Sequence, residues 1–521
     1  MPLSQSKLLV RVDAGVQTGT EAVRGVHAFA REFRQRGGHA VIVCSEIPNV
    51  LRRRIEHDCV TVRQTGCLAG SADDRVATQE TIELERPDWL AIDGAAFDAN
   101  YVNQIAKPVK HIMFLDGNSR GEAHLVVGDS DVVADFGNNS SNQSNSFATD
   151  NQHLTGSAFS LVDRTHSQPL NRKIVAEAKK ILVWIDGADH DNWTLKTLQS
   201  LSDLATKRMS VDCMVGHQYE HFAELENFKR YSNVTLRIHK NLDRIEPLTE
   251  RADLAITNGH RGCYSLAYFG IPTILITTPE SNLNIVSTLH QNRAAYSIAH
   301  ETHPETGRPP ALSKTIKKLI SDRFKRHLLS RHAMDCVDGL GAKRIVNHLA
   351  SLSIALRPAT ESDCELLWQW RNDPEVRSVA LDRQPIAWSD HEGWFEKSQS
   401  DSSCQILIAE NTAGQPIGQI IFRSDARHDQ VGLNVILGQA NRGRGTGLLL
   451  IKTALNHIFS TTAVTDVVAQ MRSGNTASEK SFRAAGFKTI APTVVDGVMA
   501  RQFLFVRNQA DDQSERIIKA A

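Results

Sequence analysis

Short apolar runs alternate with segments of helical spacing over the first two thirds of the chain. Leu8–Val12, Ala40–Cys44, Trp89–Ile92 and His111–Leu115 have the length and composition of strands buried on both faces. Between the first two, Glu21–Arg36 carries its apolar residues at helical intervals and stops at Gly37-Gly38. The same plan returns further on. Lys180–Ile185, Ser210–Val215, Leu254–Thr257 and Pro272–Thr277 predict strands, and Trp193–Ala205 and Cys263–Phe269 predict helices, the latter stopped by Gly270. The two blocks are separated by Asn138–Ser146, nine Asn, Ser and Gln residues, and by polar sequence to about Ser157. That composition buries no core and predicts a linker or long surface loop.

A third pattern opens at Leu356-Arg-Pro358. It predicts a helix (Cys364–Arg371), strands at Gln405–Glu410, Pro416–Arg423 and Gln430–Leu437, a glycine turn, a helix (Leu448–Ser460), a strand (Asp466–Met471) and a helix (Ala477–Ala485). Strand-helix alternation in the first two blocks implies parallel sheets covered on both faces. The expected fold is therefore α/β, with two Rossmann-like lobes over residues 1–160 and 161–350, a third α/β domain over 353–508, and a polar tail at 509–521. Ligands of such lobes sit beyond the carboxyl ends of the strands.

Composition narrows the class. The chain has 521 residues, enough for about three domains of ordinary size. Lys plus Arg and Asp plus Glu both number 59, so net charge gives no reason to expect nucleic acid or an anionic membrane as partner. The eight cysteines, at 44, 59, 67, 213, 263, 336, 364 and 404, form no C-x-x-C pair and no metal-ligand spacing, which points to a reducing compartment. No apolar run approaches the roughly 20 residues that span a bilayer, and Met1-Pro-Leu-Ser lacks the plan of a signal peptide. The expectation is a cytoplasmic protein; the motifs specify no oligomeric state and no metal.

The chemistry concentrates in Asn441-Arg-Gly-Arg-Gly-Thr-Gly447, of the form R-x-x-G-x-G, set between a strand and a helix. Glycines let the backbone fold around an anion, and a helix start adds roughly half a positive charge. Such a turn holds a pyrophosphate.

With this turn stand Leu356-Arg-Pro358, Trp368-Gln-Trp-Arg-Asn-Asp-Pro-Glu-Val-Arg377, Trp394-Phe395, Asn475-x-x-Ser478 and Gly486-Phe487. In this order the third block resembles the GNAT superfamily of N-acetyltransferases, specifically the amino-sugar acetyltransferases of bacterial nonulosonic acid pathways. The resemblance implies a GNAT α/β acyltransferase domain with acetyl-CoA as co-substrate. Arg442, Gly443, Gly445 and Gly447 would cradle its pyrophosphate, Val435 and Leu437 would pair with the pantetheine arm, and Asn475 would hold the arm further along. Arg371 and Asn372 would meet the acceptor. Family members commonly carry Tyr where this chain has Phe482 and often Glu where it has Gln470, so His391 is the remaining candidate base.

The first two blocks resemble the UDP-sugar hydrolases of the pseudaminic acid pathway, relatives of two-lobed, glycosyltransferase-B-like enzymes. The resemblance rests on Arg11-Val-Asp13, Gln17-Thr-Gly-Thr20, Pro87-Asp-Trp-Leu90, Asp93, Asp98, Trp184-Ile-Asp-Gly-Ala-Asp189, Ala252-Asp-Leu-Ala-Ile256, Gly270-Ile-Pro272 and Asp338-Gly-Leu-Gly341. It implies sugar-nucleotide contacts from Asp13, Gly259 and His260. It also exposes departures. The histidine expected to activate water is Ala22, His-Tyr is replaced by Gly94-Ala95, and Asp-Asn-Gln is replaced by Glu280-Ser-Asn282. The expected function is acetyl-CoA-dependent N-acetylation of a UDP-linked amino sugar, with an inactive hydrolase-like region. The alternatives are a bifunctional hydrolase and acetyltransferase, and a non-catalytic protein that binds sugar nucleotide and acetyl-CoA.

Overall fold

A computed structural model describes residues 3–13, 21–115, 125–128, 152–164, 172–185, 189–204, 209–216, 219–240, 242, 245–278, 281–298, 310–424, 430–443, 445–495 and 497–507. The turn at 17–20, the segment 138–146, Asp186, Glu280, Arg444 and the tail 509–521 lie outside these residues.

Three sheets organise the chain. The first is built from β1 (Lys7–Val12), β2 (His39–Cys44), β3 (Thr61–Gln64), β4 (Trp89–Asp93), β5 (His111–Phe114), β6 (Leu125–Gly128) and β7 (Gln152–Thr155). Its order is β3-β2-β1-β4-β5-β6-β7, with every pairing parallel. Helices α1 (Glu21–Gln35), α2 (Asn49–His57), α3 (Ala72–Glu85) and α4 (Ala99–Ala106) connect its strands. The stripe Val23, Val26, Ala30 and Phe33 explains α1: these positions recur at helical spacing and all are buried.

One residue breaks the apolar pattern of β1. Arg11 is fully buried, and its Nη2 donates to both oxygens of Asp74 at 2.8 and 2.9 Å. Its Nη1 donates to Asp13 Oδ1 at 2.8 Å, and the guanidinium lies 4.4 Å from the centre of the Phe97 ring. A buried cation is tolerated here because two carboxylates and hydrogen bonds replace its hydration.

The second sheet comprises β8 (Lys180–Trp184), β9 (Ser210–Val215), β10 (Thr235–Lys240), β11 (Leu254–Asn258), β12 (Thr273–Ile276) and β13 (Tyr296–Ile298). It runs β10-β9-β8-β11-β12-β13, again parallel throughout. Around it lie α5 (Trp193–Leu204), α6 (Phe222–Tyr231), α7 (Glu246–Arg251), α8 (Gly262–Tyr268), α9 (Leu283–Gln291), α10 (Pro310–Ser321), α11 (Arg323–Cys336) and α12 (Gly341–Leu352). Separate apolar cores include Val183, Leu198 and Ile256 in one and Leu182, Leu266 and Leu275 in the other. In both sheets the strand order reverses beside the first strand, which is where doubly wound sheets open a crevice.

The third sheet contains β14 (Ala355–Pro358), β15 (Cys404–Glu410), β16 (Pro416–Ser424), β17 (Gln430–Leu437), β18 (Asp466–Arg472), β19 (Lys488–Val495) and β20 (Val498–Val506), in the order β14-β15-β16-β17-β18-β20-β19. Its helices are α13 (Cys364–Asn372), α14 (Pro374–Val379), α15 (Trp388–Ser400), α16 (Thr446–Thr461) and α17 (Thr476–Ala484). Its pairings are antiparallel except that of β17 with β18. The chain divides into two compact units. The larger spans Lys7–Gln35 and His39–Val346, and so holds both parallel sheets; the smaller contains everything from Asn347 together with Met1–Ser6 and Arg36–Gly38. No helix among the described residues is long and apolar enough to cross a membrane.

Candidate active site

The parallel pair β17–β18 is short. Residues 430–432 pair with 466–468, and then β17 continues to Leu437 and β18 to Arg472 without further pairing. The other edge of β17 stays paired with β16 as far as Leu437 opposite Gly418. The N–H of Gly438 donates to Ile417 O at 3.0 Å, so alternate residues 436, 434 and 432 also direct their backbone groups toward β16. Val435 and Leu437 therefore direct theirs into the gap that opens toward β18. The sequence marked these two residues; the divergence of the strands is what leaves their edge open.

The glycine turn lies at the end of that edge. Gly443 and Gly445 have φ of 71° and 76°, the left-handed region that glycine occupies without steric cost. Gly445 precedes α16 directly, and no side chain caps the helix start. Donors of the first turn are thus left for an anion. A Cβ on Gly447 would stand 3.6 Å from Leu437 Cδ1, which shows how closely the helix start packs over the end of β17.

Arg442 is used differently from the expectation. Its Nε donates to Leu437 O at 3.0 Å, and its Nη1 donates to Asp373 Oδ1 at 2.8 Å and Glu375 Oε2 at 3.0 Å. Burial disfavours the cation, but the bonds to Asp373 and Glu375 outweigh it and raise its pKa. Nη1 tethers the turn to the α13–α14 junction, and Nε ties it to the end of β17. The third, Nη2, is buried without a hydrogen-bond partner. Asn475 is also engaged locally, since its side chain accepts from Ser478 N at 3.1 Å and caps α17.

On the acceptor side, Asn372 accepts from Ile386 N at 2.9 Å and donates to Ile386 O at 3.0 Å. Its amide fixes the loop before α15, so both of its polar atoms are engaged within the chain. His391 is 1 % exposed. Its Nε2–H donates to the Cys364 carbonyl at 3.0 Å, and its ring lies beside Trp388 and Trp394. Burial, the leading cause, lowers its pKa and keeps it neutral. His391 is a packed member of an aromatic wall, and so shielded a ring is poorly placed as a base for substrate. Arg371 differs: its guanidinium lies 5.2 Å from the Trp394 ring centre. Phe482 is buried against Phe487 and Phe503, and Gln470 is exposed on β18.

In the larger unit, Asp13 is 4 % exposed at the carboxyl end of β1. Its Oδ1 accepts from Arg11 and from Ser45 N at 3.2 Å, while Oδ2 has no hydrogen-bond partner among the described residues. His260 is buried: Gly262 N donates to its Nδ1 at 3.1 Å, so the proton is on Nε2, which donates to Thr257 Oγ1 at 2.8 Å. Both ring nitrogens are engaged in the β11–α8 turn. Gly259 is required by packing, because a Cβ there would stand 2.4 Å from Val286 Cγ2. Arg261, from the same turn, pairs with Asp93 and donates to Leu115 O at 3.1 Å. It lines a solvent-open cleft of about 690 Å³ with Glu21, Arg24, Glu246, Tyr264 and Ser265.

A mixed sheet that splits beside a glycine turn and an uncapped helix defines an α/β domain suited to an extended ligand with a pyrophosphate. Residues 353–488 match the family model of the acetyltransferase (GNAT) domain. The carboxy-terminal part of the chain is a GNAT acetyltransferase domain, and the donor of that family is acetyl-CoA.

The chain is also similar to an uncharacterized protein of Methanocaldococcus jannaschii, 22 % identical over 509 residues, covering 92 % of this chain and 96 % of that one. Among solved structures it is similar to spermidine N-acetyltransferase from Vibrio cholerae in complex with CoA and spermine, at 15 % identity and a TM-score of 0.28, covering 30 % of this chain and 96 % of that one. It is likewise similar to AAC(6')-Ib in complex with ribostamycin and coenzyme A, at 19 % identity and a TM-score of 0.28, covering 31 % and 97 %.

Proposed function

We propose that the chain is an acetyl-CoA-dependent N-acetyltransferase whose acceptor is the amine of a UDP-linked amino sugar, in glycan biosynthesis of the nonulosonic acid type. The observation that carries the reading is the unpaired edge of β17 leading to the glycine turn. Val435 and Leu437 would hydrogen-bond the pantetheine arm as a strand does. The backbone of Gly443–Gly447 and the start of α16 would take the pyrophosphate. Arg442 would shape this turn rather than contact phosphate through its paired nitrogens, and Asn475 would act by placing α17.

Transfer needs a neutral amine in line with the thioester carbonyl. Attack forms the C–N bond, breaks the C–S bond and releases CoA thiolate, which takes up the proton the amine nitrogen loses to become CoA thiol. Phe482 has no proton to give, so alignment of the two substrates would supply most of the rate and water would carry the proton from the nitrogen to the leaving thiolate. The two parallel-sheet lobes, read as glycosyltransferase-B-like, would hold the sugar nucleotide near Asp13 without hydrolysing it. Ala22 gives no proton chemistry where a histidine would be needed.

Mass spectrometry of acetyl-CoA with UDP-4-amino sugars and the protein should show gain of one acetyl group and no release of UDP. Gly445→Glu should abolish acetyl-CoA binding in calorimetry by setting a carboxylate against the pyrophosphate. An unmutated chain with no affinity for acetyl-CoA would refute the reading.

A further inference from the structure

The corner that follows α1 reaches into the carboxy-terminal domain. α1 ends at Gln35, and Gly37, with φ of 94° in the left-handed region, turns the chain toward β2. Arg36 stands at that corner, 8 % exposed, and Arg36–Gly38 belong to the same compact unit as everything from Asn347 onward. Its Nη2 donates to Asn347 Oδ1 of α12 at 2.5 Å. The end of α12 is tied to α16 in turn, because Thr453 Oγ1 donates to the Ser351 carbonyl at 3.3 Å. A cation from the start of the chain is thereby held beside the helix that follows the glycine turn.

The guanidinium lies at that turn itself. A Cβ built on Gly445 would stand 3.5 Å from Arg36 Nη1 and 3.6 Å from Nη2. Gly445 is exposed and directly precedes the uncapped first turn of α16. Two further polar atoms at the turn, Thr446 Oγ1 and Arg442 Nη2, are buried with no hydrogen-bond partner among the described residues. The arginine of the motif is committed elsewhere: Arg442 Nη1 serves Asp373 and Glu375, and its Nε serves Leu437 O.

We infer that Arg36 is a ligand of the donor's pyrophosphate, supplied to the acetyl-CoA site from outside the matched acetyltransferase domain at 353–488. The inference rests on the acetyl-CoA reading of the glycine turn, and it adds a residue that no motif of that turn marks. Peptide dipoles at a helix start offer a pyrophosphate only about half a positive charge. A guanidinium beside them adds a full one, with donors spaced to match phosphate oxygens. Arg442 shapes the turn, and Arg36 meets the charge. The donor site is complete only with the α1–β2 corner seated on it.

The test uses the full chain and three donors, with affinities read by calorimetry: acetyl-CoA, acetyl-dephospho-CoA, which keeps the pyrophosphate, and acetylpantetheine, which has no phosphate. Arg36→Gln should weaken the first two alike, by about tenfold to a hundredfold, as expected for one charge-assisted contact, and leave the third unchanged. Inorganic pyrophosphate should displace acetyl-CoA from the unmutated chain and do so about tenfold less well on the variant, which decides the matter where acetylpantetheine binds too weakly to read. If Arg36→Gln does not fold, Arg36→Lys takes its place, severalfold weaker for both nucleotide donors and unchanged for acetylpantetheine. An equal loss for all three donors overturns the inference, since Arg36 would then only support the turn. A loss confined to acetyl-CoA also overturns it, by placing Arg36 on the 3′-phosphate. If the variant binds acetyl-CoA as well as the unmutated chain does, the inference alone falls. If the unmutated chain binds no donor, the proposed function falls with it.

Discussion

Replacing Arg442 by alanine separates two roles that its sequence position confounds. A phosphate ligand would contribute to acetyl-CoA affinity and little to stability. The geometry gives the opposite weighting. The bond to Asp373 joins two side chains exposed by 20 % and 16 %, so its loss should cost about 1.5–2.5 kcal/mol. Glu375 is 72 % exposed, and its share should stay below about 0.5 kcal/mol. Losing the bond to the Leu437 carbonyl adds about 1 kcal/mol. The sum is about 2–4 kcal/mol, all of it on the segment that joins β17 to the glycine turn.

Urea unfolding followed by tryptophan fluorescence measures this, because Trp370 packs against Gly438 at the end of β17. With a slope of about 2 kcal/mol per molar, the midpoint of the transition seen by that tryptophan should fall by roughly 1–2 M. Asp373→Asn should reproduce about half of the effect, and Glu375→Gln almost none. Acetyl-CoA affinity measured well below the transition should fall only several-fold. If Arg442→Ala leaves the midpoint unchanged and weakens acetyl-CoA more than about a hundredfold, the tether argument is wrong and Arg442 is a phosphate ligand.

Two further outcomes follow from buried carboxylates. Asp363 is pulled down to about 2, first by its hydrogen bonds from Arg357. A folded pKa below the unfolded one stabilises above pH about 4 and is lost as pH falls toward 2, so the advantage of the wild type over Asp363→Asn should be about 1–2 kcal/mol at pH 6 and vanish near pH 2, as read from urea midpoints. In the larger unit, Asp74→Ala strips the buried Arg11 of a bidentate partner and should destabilise by about 3–5 kcal/mol, seen as faster proteolysis within residues 7–115; unchanged resistance would show that Arg11 finds another partner.

The legible parts of the fold were those where one physical demand sets the pattern. Central parallel strands such as β1, β4, β8 and β11 are buried on both faces and must be nearly continuous in apolar residues, so their runs located them to within a residue or two. Edge strands hide because half of their residues meet water. β3, TVRQ, buries only Val62, and most of β19 is exposed. α15 was missed for a related reason: its few buried residues include His391 and Ser398, so no apolar stripe marks it. The divergence of β17 from β18 has no one-dimensional signature at all, since it is a property of register between segments some thirty positions apart.

The sequence motifs mark residues for the candidate site but not what each side chain does in the folded chain. The glycine turn could be read because positive φ selects glycine, and Gly443 and Gly445 do adopt it. Polar residues in the same motifs were harder, because a motif collects residues that build a site along with residues that touch its ligand. Asn372, His260 and Asn475 have found backbone or side-chain partners within a few positions or across one loop. Arg442 has found Asp373 and Glu375, which belong to the very string, Trp368–Arg377, that the sequence pointed to for a different purpose. Arg371, from that string too, makes no side-chain hydrogen bond or ion pair among the described residues, although Asp382 acts on its charge, and it lies over the Trp394 ring. Partnership in the folded chain therefore sorts what adjacency in sequence cannot. A polar group that is already hydrogen-bonded holds the framework in place. By that criterion Arg442, Asn372 and Asn475 build the framework, and the open edge of β17 is left as the place where the proposed acetyl donor would pair.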